Sequence, residues 1–284
     1  MTGCRLQAVG NEIQPTAYGP QPMNEIPFTK AHGCGNDFLI VPADSIGGAP
    51  GSELARAICD RHFGVGADGL YLAACPAQDA DAEIRLFNSD GSAAELSGNG
   101  TRCVAAWLVE SGAARGQLLR VRTGAGLKEL RLISRIAQRF LFQMSVAAPR
   151  IAPGPEDTLS VWLGNPQCVV FVKDFECDWQ GRGRALGGHP FFPAGTNVDF
   201  VRVIDEHVLE ARFWERGAGH TLASGTGSTA AAVAAIHAGR ASSPVTVRTE
   251  GGELGIAWEP GGEALLTGPA EITCHGRFLW NPEQ

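Results

Sequence analysis

Short runs in which apolar and polar residues alternate fill most of this chain, and two stretches are apolar nearly all round. The alternating runs predict strands over 26–30, 38–41, 70–72, 81–87, 118–123, 126–133 and 139–146. A second set follows over 160–163, 169–172, 200–204, 208–214, 245–248, 253–258 and 264–267. The all-apolar stretches, 103–109 and 229–239, predict helices enclosed within a domain. A shorter amphipathic helix is expected over 52–60 with Ser52 as its N-cap. Residues 182–193 read as irregular, and 149–155 reads as a bridge. The opening residues show no periodicity, so 1–24 is expected to be a disordered leader.

Each apolar helix is opened by a loop of small residues. The first loop is Ser97-Gly98-Asn99-Gly100-Thr101 and the second is Ser224-Gly225-Thr226-Gly227-Ser228, an offset of 127. Arg85 and Arg212 share that offset. Thr123 and Thr249 lie 126 apart, and Gly35-Asn36 and Gly164-Asn165 lie 129 apart. Landmarks in one order at nearly one spacing indicate a duplicated unit. The expectation is an α+β fold of two pseudo-symmetric domains, each a mostly antiparallel sheet around a central apolar helix, with a cleft between them. The halves would be 25–148 and 149–270, followed by a C-terminal segment, 271–284.

Composition narrows the function classes. A chain of 284 residues, 44% hydrophobic, can bury one large core or two smaller ones. A net charge of -7 with no basic run argues against nucleic acid as a partner. No window approaches the roughly eighteen apolar residues of a membrane span, and no signal peptide opens the chain. A soluble cytoplasmic protein is expected. The eight cysteines form no C-x-x-C pair, and most of them read as small buried hydrophobes. The seven histidines show no ligand spacing, so no metal is expected. Gly64, Gly66 and Gly69 spell G-x-G-x-x-G, but a helix precedes them and a strand follows, the reverse of a dinucleotide site.

The paired loops are the candidate site. Both present glycine-flanked backbone N–H groups at a helix N-terminus, which receives an anion without a charged side chain. If the halves face each other, the Ser97 and Ser224 hydroxyls stand on opposite sides of one ligand. That suits removal of a proton from one face of a carbon and delivery to the other. Asn36, Asn88, Asn165, Asn197, Glu215 and Arg216 add the polar groups a zwitterionic amino acid needs, Arg for carboxylate and Glu for ammonium. The plainer alternative is that both serines are N-caps and nothing more. A serine-nucleophile reading, with His220 four residues before Ser224, lacks a G-x-S-x-G elbow and an evident orienting acid.

Six motifs carry a resemblance. They are Lys30-Ala31-His32-Gly33-Cys34-Gly35-Asn36-Asp37-Phe38, Gly64-Val65-Gly66-Ala67-Asp68-Gly69, Asn88-Ser89-Asp90-Gly91-Ser92, Gly98-Asn99-Gly100-Thr101-Arg102-Cys103, Gly164-Asn165-Pro166 and Glu215-Arg216-Gly217. From about Ile26 onward the chain resembles diaminopimelate epimerase. The resemblance implies two similar domains with a central helix each, a homodimer, and no cofactor. It implies inversion of one α-carbon of LL-diaminopimelate to the meso form, a step of lysine and peptidoglycan synthesis. Asn36, Asn88, Asn165, Asn197, Glu215 and Arg216 match the family's substrate-binding positions. The backbone of Gly98, Asn99, Gly225 and Thr226 matches the loops that hold the α-carboxylate.

Ser97 and Ser224 fall where the family has its two catalytic cysteines. A thiol titrates near pH 8.5 and lower at a helix N-terminus; a serine hydroxyl titrates far higher. Turnover orders of magnitude below a thiol pair is therefore expected. Gln167 replaces the family's usual histidine and His220 its usual glutamate; His220 is either an activator of Ser224 or a plain loop histidine. Three readings stay open: the epimerase itself, an impaired or non-catalytic amino-acid-binding homologue, and a racemase or isomerase of another amino acid.

Overall fold

The computed structural model describes residues 24–281, so the leader expected over 1–24 lies, but for its last residue, outside them. In chain order the elements are β1 (Asn24–Gly33), β2 (Asn36–Pro42), a 3-10 turn (Ala43–Ile46), α1 (Gly51–Ile58), β3 (Gly69–Ala74), β4 (Ala82–Asn88), β5 (Ala93–Ala94), α2 (Gly98–Glu110), β6 (Leu118–Thr123), β7 (Gly126–Ile136) and β8 (Arg139–Ser145). Then come β9 (Arg150–Pro153), β10 (Leu159–Trp162), β11 (Pro166–Phe171), α3 (Trp179–Gly187), β12 (Asn197–Asp205), β13 (Val208–Glu215), β14 (Gly219–Thr221), α4 (Gly225–His237), β15 (Val245–Thr249), β16 (Gly252–Ala257) and β17 (Leu265–Trp280).

The two halves repeat each other strand by strand. In the first, β1–β2 is antiparallel, β2–β3 parallel, β3–β4 antiparallel, β4–β6 parallel, and β6–β7–β8 antiparallel. In the second, β10–β11 is antiparallel, β11–β12 parallel, β12–β13 antiparallel, β13–β15 parallel, and β15–β16–β17 antiparallel. Each sheet curls around its apolar helix. Cys103, Val104, Ala105, Ala106 and Leu108 of α2 are fully buried, as are Ala230, Ala231, Ala232, Val233, Ala234 and Ala235 of α4. Alanine suits α4 because it has the highest helix propensity and no side-chain entropy to lose. Outside the sheets, α1 packs over Leu39, Leu70 and Leu72 and α3 over Val170 and Phe200, closing two smaller cores.

One strand joins the halves. The start of β17 pairs with β16, from Gly255↔Thr267 to Ala257↔Leu265. Its middle pairs with β8, and its end runs antiparallel to β1 as far as Asn24↔Trp280. The first sheet thereby closes on itself as β1–β2–β3–β4–β6–β7–β8–β17. Pattern reading ends this strand at Thr267. Its second part mixes Glu271, His275 and Arg277 with apolar residues, and its partner lies some 250 positions away, so no local signal marks it.

Three further readings change. The helix read as starting at Ser52 begins at Gly51, with Pro50 in the N-cap position and no side-chain cap bond. The stretch 182–193, read as irregular, contains most of α3. Gly181 and Gly183 weaken the helical pattern there, but Asp178 caps the helix through Gly181 N at 2.8 Å. Gly183 leaves room for Trp214, whose Cβ would stand 2.7 Å from any added side-chain carbon. The bridge at 149–155 includes strand β9, paired with β10.

Two arrangements fix the loops near the α2 N-terminus. The turn after β15 packs on the turn after β1: Gly251 N donates to Leu222 O at 2.9 Å, and a carbon added at Gly251 would overlap the Cys34 carbonyl. Gly251→Ala is expected to destabilise the fold by about 1–3 kcal/mol, read as a lower denaturant midpoint at unchanged slope. An unchanged midpoint would show that the turns are free to part.

The second arrangement is an ion cluster. Asp37 accepts from Arg61 Nη2 at 2.8 Å and lies 3.1 Å from Lys30 Nζ; Arg61 also reaches Asp68 at 2.7 Å. Burial pushes the Asp37 carboxyl up, but the hydrogen bonds from Arg61 and Lys30 outweigh it and hold it below its ordinary value. A depressed folded-state value stabilises above the unfolded value, about pH 4, and the gain is lost as pH falls through the folded one. Stability of Asp37→Asn is expected to decline less than that of the parent between about pH 7 and pH 3. Parallel declines would assign the acid sensitivity to other groups.

Candidate functional site

The two helix N-termini are built alike. Ser97 precedes α2 with φ -129° and ψ 123°, and its Oγ accepts from Gly100 N at 3.2 Å. Ser224 precedes α4 with φ -128° and ψ 125°, and its Oγ accepts from Gly227 N at 3.1 Å. Both serines are N-caps. The N–H groups of the next two residues, Gly98 and Asn99 or Gly225 and Thr226, have no partner within their helix. Both glycines at the third helical position leave space for a buried group below. A carbon added at Gly100 would stand 2.5 Å from Tyr71 Oη; one added at Gly227 would stand 2.5 Å from Asp199 Oδ1. Register makes Tyr71 on β3 and Asp199 on β12 counterparts, each two residues past the start of its parallel pairing.

The fold brings these two ends together. Asn99 Oδ1 lies 3.9 Å from where a side-chain carbon at Gly225 would stand, so α2 and α4 meet at their first turns. Asn99 belongs to a chain of oriented amides. Arg102 Nη2 donates to Asn99 Oδ1 at 2.7 Å, Asn99 Nδ2 donates to Asn36 Oδ1 at 3.3 Å, and Asn36 Nδ2 donates to Asp68 Oδ2 at 2.7 Å. A cation at one end and a carboxylate at the other set which way each amide points. Arg102 is fully buried and also holds Gly98 O and Pro269 O, both at 3.1 Å. Burial pushes its guanidinium down. It gives the α2 N-terminus a buried positive charge beyond the helix dipole.

The second half supplies a different set. Gln167 is fully buried and donates from Nε2 to Asn165 Oδ1 and Thr226 Oγ1, both at 3.0 Å. Its Oε1 has no protein partner. Asn165 Nδ2 also reaches Thr226 Oγ1, at 3.5 Å. Asn197 Oδ1 accepts from Arg216 N at 2.9 Å, and Arg216 Nη1 holds Ala194 O at 2.9 Å. The Glu215 carboxyl lies beside the hydroxyls of Ser224 and Thr221. Burial pushes it up, and those hydroxyls partly offset the rise. A cleft of about 450 Å³ opens beside it, lined by Thr196, Trp214, Glu215 and Arg216 among others.

Of the residues singled out from sequence, Asn36 and Asn99 form one cluster and Asn165 and Thr226 another, each at its own helix end. Asn197 and Arg216 bond to each other. Asn88 bonds Ser92 Oγ at 2.9 Å and joins none of these contacts. His220 does not turn toward Ser224: its Nε2 lies 2.5 Å from Glu250 Oε2, its ring packs edge-on against Trp179, and Arg212 reaches the same carboxylate. An acid does orient His220, but the group beside the Ser224 hydroxyl is Glu215. Sequence reading assigned no role to Arg102, Tyr71 or Asp199. Arg102 alone carried a signal, as a cation within an otherwise apolar helix.

Comparison with known proteins agrees with this architecture. A sequence model of the family described as diaminopimelate epimerase matches residues 28–146 and 159–273. The diaminopimelate epimerase of Pelotomaculum thermopropionicum is 40% identical over 275 residues, covering 88% of this chain and 98% of the relative. That of Moorella thermoacetica is 40% identical over 277 residues, covering 88% and 98%. Among solved structures, a phenazine biosynthesis protein of the PhzF family from Bacillus anthracis superimposes with a TM-score of 0.72 at 15% identity, over 91% of this chain and 100% of that one. A hydroxyproline epimerase from Agrobacterium vitis, with bound trans-4-hydroxy-L-proline, gives 0.64 at 18% identity, over 92% and 94%. At such identities the structures speak to the fold, while the sequence matches speak to descent: the chain belongs to the diaminopimelate epimerase family.

Proposed function

We propose that this chain inverts one α-carbon of LL-diaminopimelate to give the meso form, without a cofactor, with Ser97 and Ser224 on opposite faces of that carbon. The observation that supports this most is the meeting of two serine-capped helix ends at Asn99 and Gly225. The partnerless N–H groups of Gly98, Asn99, Gly225 and Thr226 receive the α-carboxylate, favoured by both helix dipoles. Glu215 takes the ammonium, and Asn36, Asn88, Asn165, Asn197 and Arg216 hold the rest of the substrate. One serine accepts the α-proton while the other gives a proton to the opposite face. The two stretches matched by the family support reading 25–148 and 149–270 as the halves that close on the substrate. A homodimer, as the family resemblance implies, and a cytoplasmic location, as the sequence pattern suggests, complete this reading.

Base strength sets the rate. A hydroxyl is a far weaker base than a thiolate at neutral pH, and proton transfer by a well-matched group contributes about 10²- to 10⁴-fold. Ser97→Cys/Ser224→Cys is therefore expected to exchange the α-hydrogen of LL-diaminopimelate in deuterium oxide at least about 10²-fold faster than the parent. NMR reads the exchange and chiral chromatography the inversion. Equal rates would show that serine is no handicap here. Silence from both proteins would sink the epimerase reading and favour an amino-acid binder or another substrate.

A further inference from the structure

The α4 end of the site rests on a buried amide whose two N–H groups are both spent. Gln167 is fully buried, and its Nε2 donates to Asn165 Oδ1 and to Thr226 Oγ1, each at 3.0 Å. Its Oε1 has no partner. This way round both N–H groups find acceptors, and the group left over is a carbonyl, which tolerates the lack of a partner better than an N–H does. The orientation of this amide sets two neighbours, both half-buried. Asn165 has its Oδ1 held by Gln167, so Nδ2 is the end it has left for other partners. Thr226 Oγ1 accepts from Gln167 and, at 3.5 Å, from Asn165 Nδ2. With both lone pairs taken, its O–H is left to donate. The N–H groups of Gly225 and Thr226 also lack partners within α4. Donors therefore gather at this helix end while the nearest amide oxygen is turned away. The first half has no such device: Phe38 follows Asn36 by two residues, as Gln167 follows Asn165, and a phenyl ring orients no amide.

We propose that Gln167 is a positioning residue for substrate binding: it holds Asn165 and Thr226 so that Asn165 Nδ2 and the Thr226 hydroxyl both donate to the substrate, and the α4 end thereby takes a carboxylate. This rests on the epimerase reading for the identity of the ligand, LL-diaminopimelate. Gln167 acts through its two partners and touches no reacting atom. Its effect is one of sign. A group at position 167 that only accepts would draw Asn165 Nδ2 and the Thr226 O–H toward itself. The site would lose two donors and face the carboxylate with Asn165 Oδ1 instead. The surroundings make such a change readable. Gln167 pairs with Asn197 on β12, and Asp199, two residues on, shares that face. Glu215 on β13 lies close enough to act on Asp199. Val161 stands opposite Gln167 on β10, and the only ionisable side chain of α4 is His237, at its far end. Burial and the two carboxyls raise the pKa of an acid introduced at position 167.

The test is the calorimetric affinity for LL-diaminopimelate of the full chain and of Gln167→Glu, from about pH 5 to about pH 8. A protonated carboxyl still donates one hydrogen, whereas the ionised form donates none. The ratio of variant to parent dissociation constants is expected to rise at least about tenfold across that range as the introduced acid ionises. Taking the ratio removes the titrations common to both proteins. A ratio flat in pH overturns the proposal, because a purely structural defect weakens binding alike at every pH. Nuclear Overhauser contacts in the unsubstituted, ligand-free chain supply a readout that does not depend on how the variant folds. Contacts from the Gln167 Nε2 protons to Thr226 and Asn165 support the proposal, and their absence overturns it. A parent that binds no LL-diaminopimelate removes the epimerase reading and this proposal together. A parent that binds it, with a flat ratio, removes this proposal alone.

Discussion

An apolar helix wrapped by a sheet must still do something with the polar groups at its N-terminus, and that constraint organises this protein. Burying α2 and α4 removes their flanks from water, yet the first N–H groups of any helix lack partners within it. Each helix meets the need in the same way, with a serine cap, a glycine at the third position and a buried side chain below. The N–H groups left over at the two ends are brought face to face. Two sets of N–H groups without helical partners are what this folding problem leaves, and the buried charge of Arg102 lies behind one of them.

The duplication is near-exact in backbone and loose in chemistry. Strand order, the placement of parallel pairs and the N-cap dihedrals repeat from one half to the other. The side chains at matching positions do not. Tyr71 answers Asp199, Asn88 answers Glu215 and Phe38 answers Gln167. The first half orients amides between a guanidinium and a carboxylate, whereas the second places Glu215 and Arg216 in the wall of one cleft. Two copies of one backbone thus surround their helix ends with different side chains.

Strand β17 ties this geometry down. It completes the second sheet, runs alongside β8 and closes the first sheet against β1. Pro269 on this strand accepts from Arg102, so the element that joins the halves also touches the buried charge behind the α2 end. Relative movement of the two serine loops would have to strain pairings along that strand. The site is placed by the most extensively paired element of the fold, not by a flexible connection.

Much of this was legible in the residues themselves. The all-apolar helices, the serine–glycine loops and the constant offset between them are local patterns, and they specify the α+β class, the duplication and the family. The same patterns single out Ser97 and Ser224 at helix starts and Asn36 and Asn165 beside strand starts, because they recur in one order at nearly one spacing. Local pattern could not show which groups lie beneath those loops. Tyr71 and Asp199 look like ordinary strand residues until parallel pairing carries them under Gly100 and Gly227. Glu215 and not His220 stands beside Ser224, and the last strand runs on to Trp280 because β1 waits for it. Each of these depends on contacts between residues far apart in the chain, which only the closing of the two sheets brings within reach.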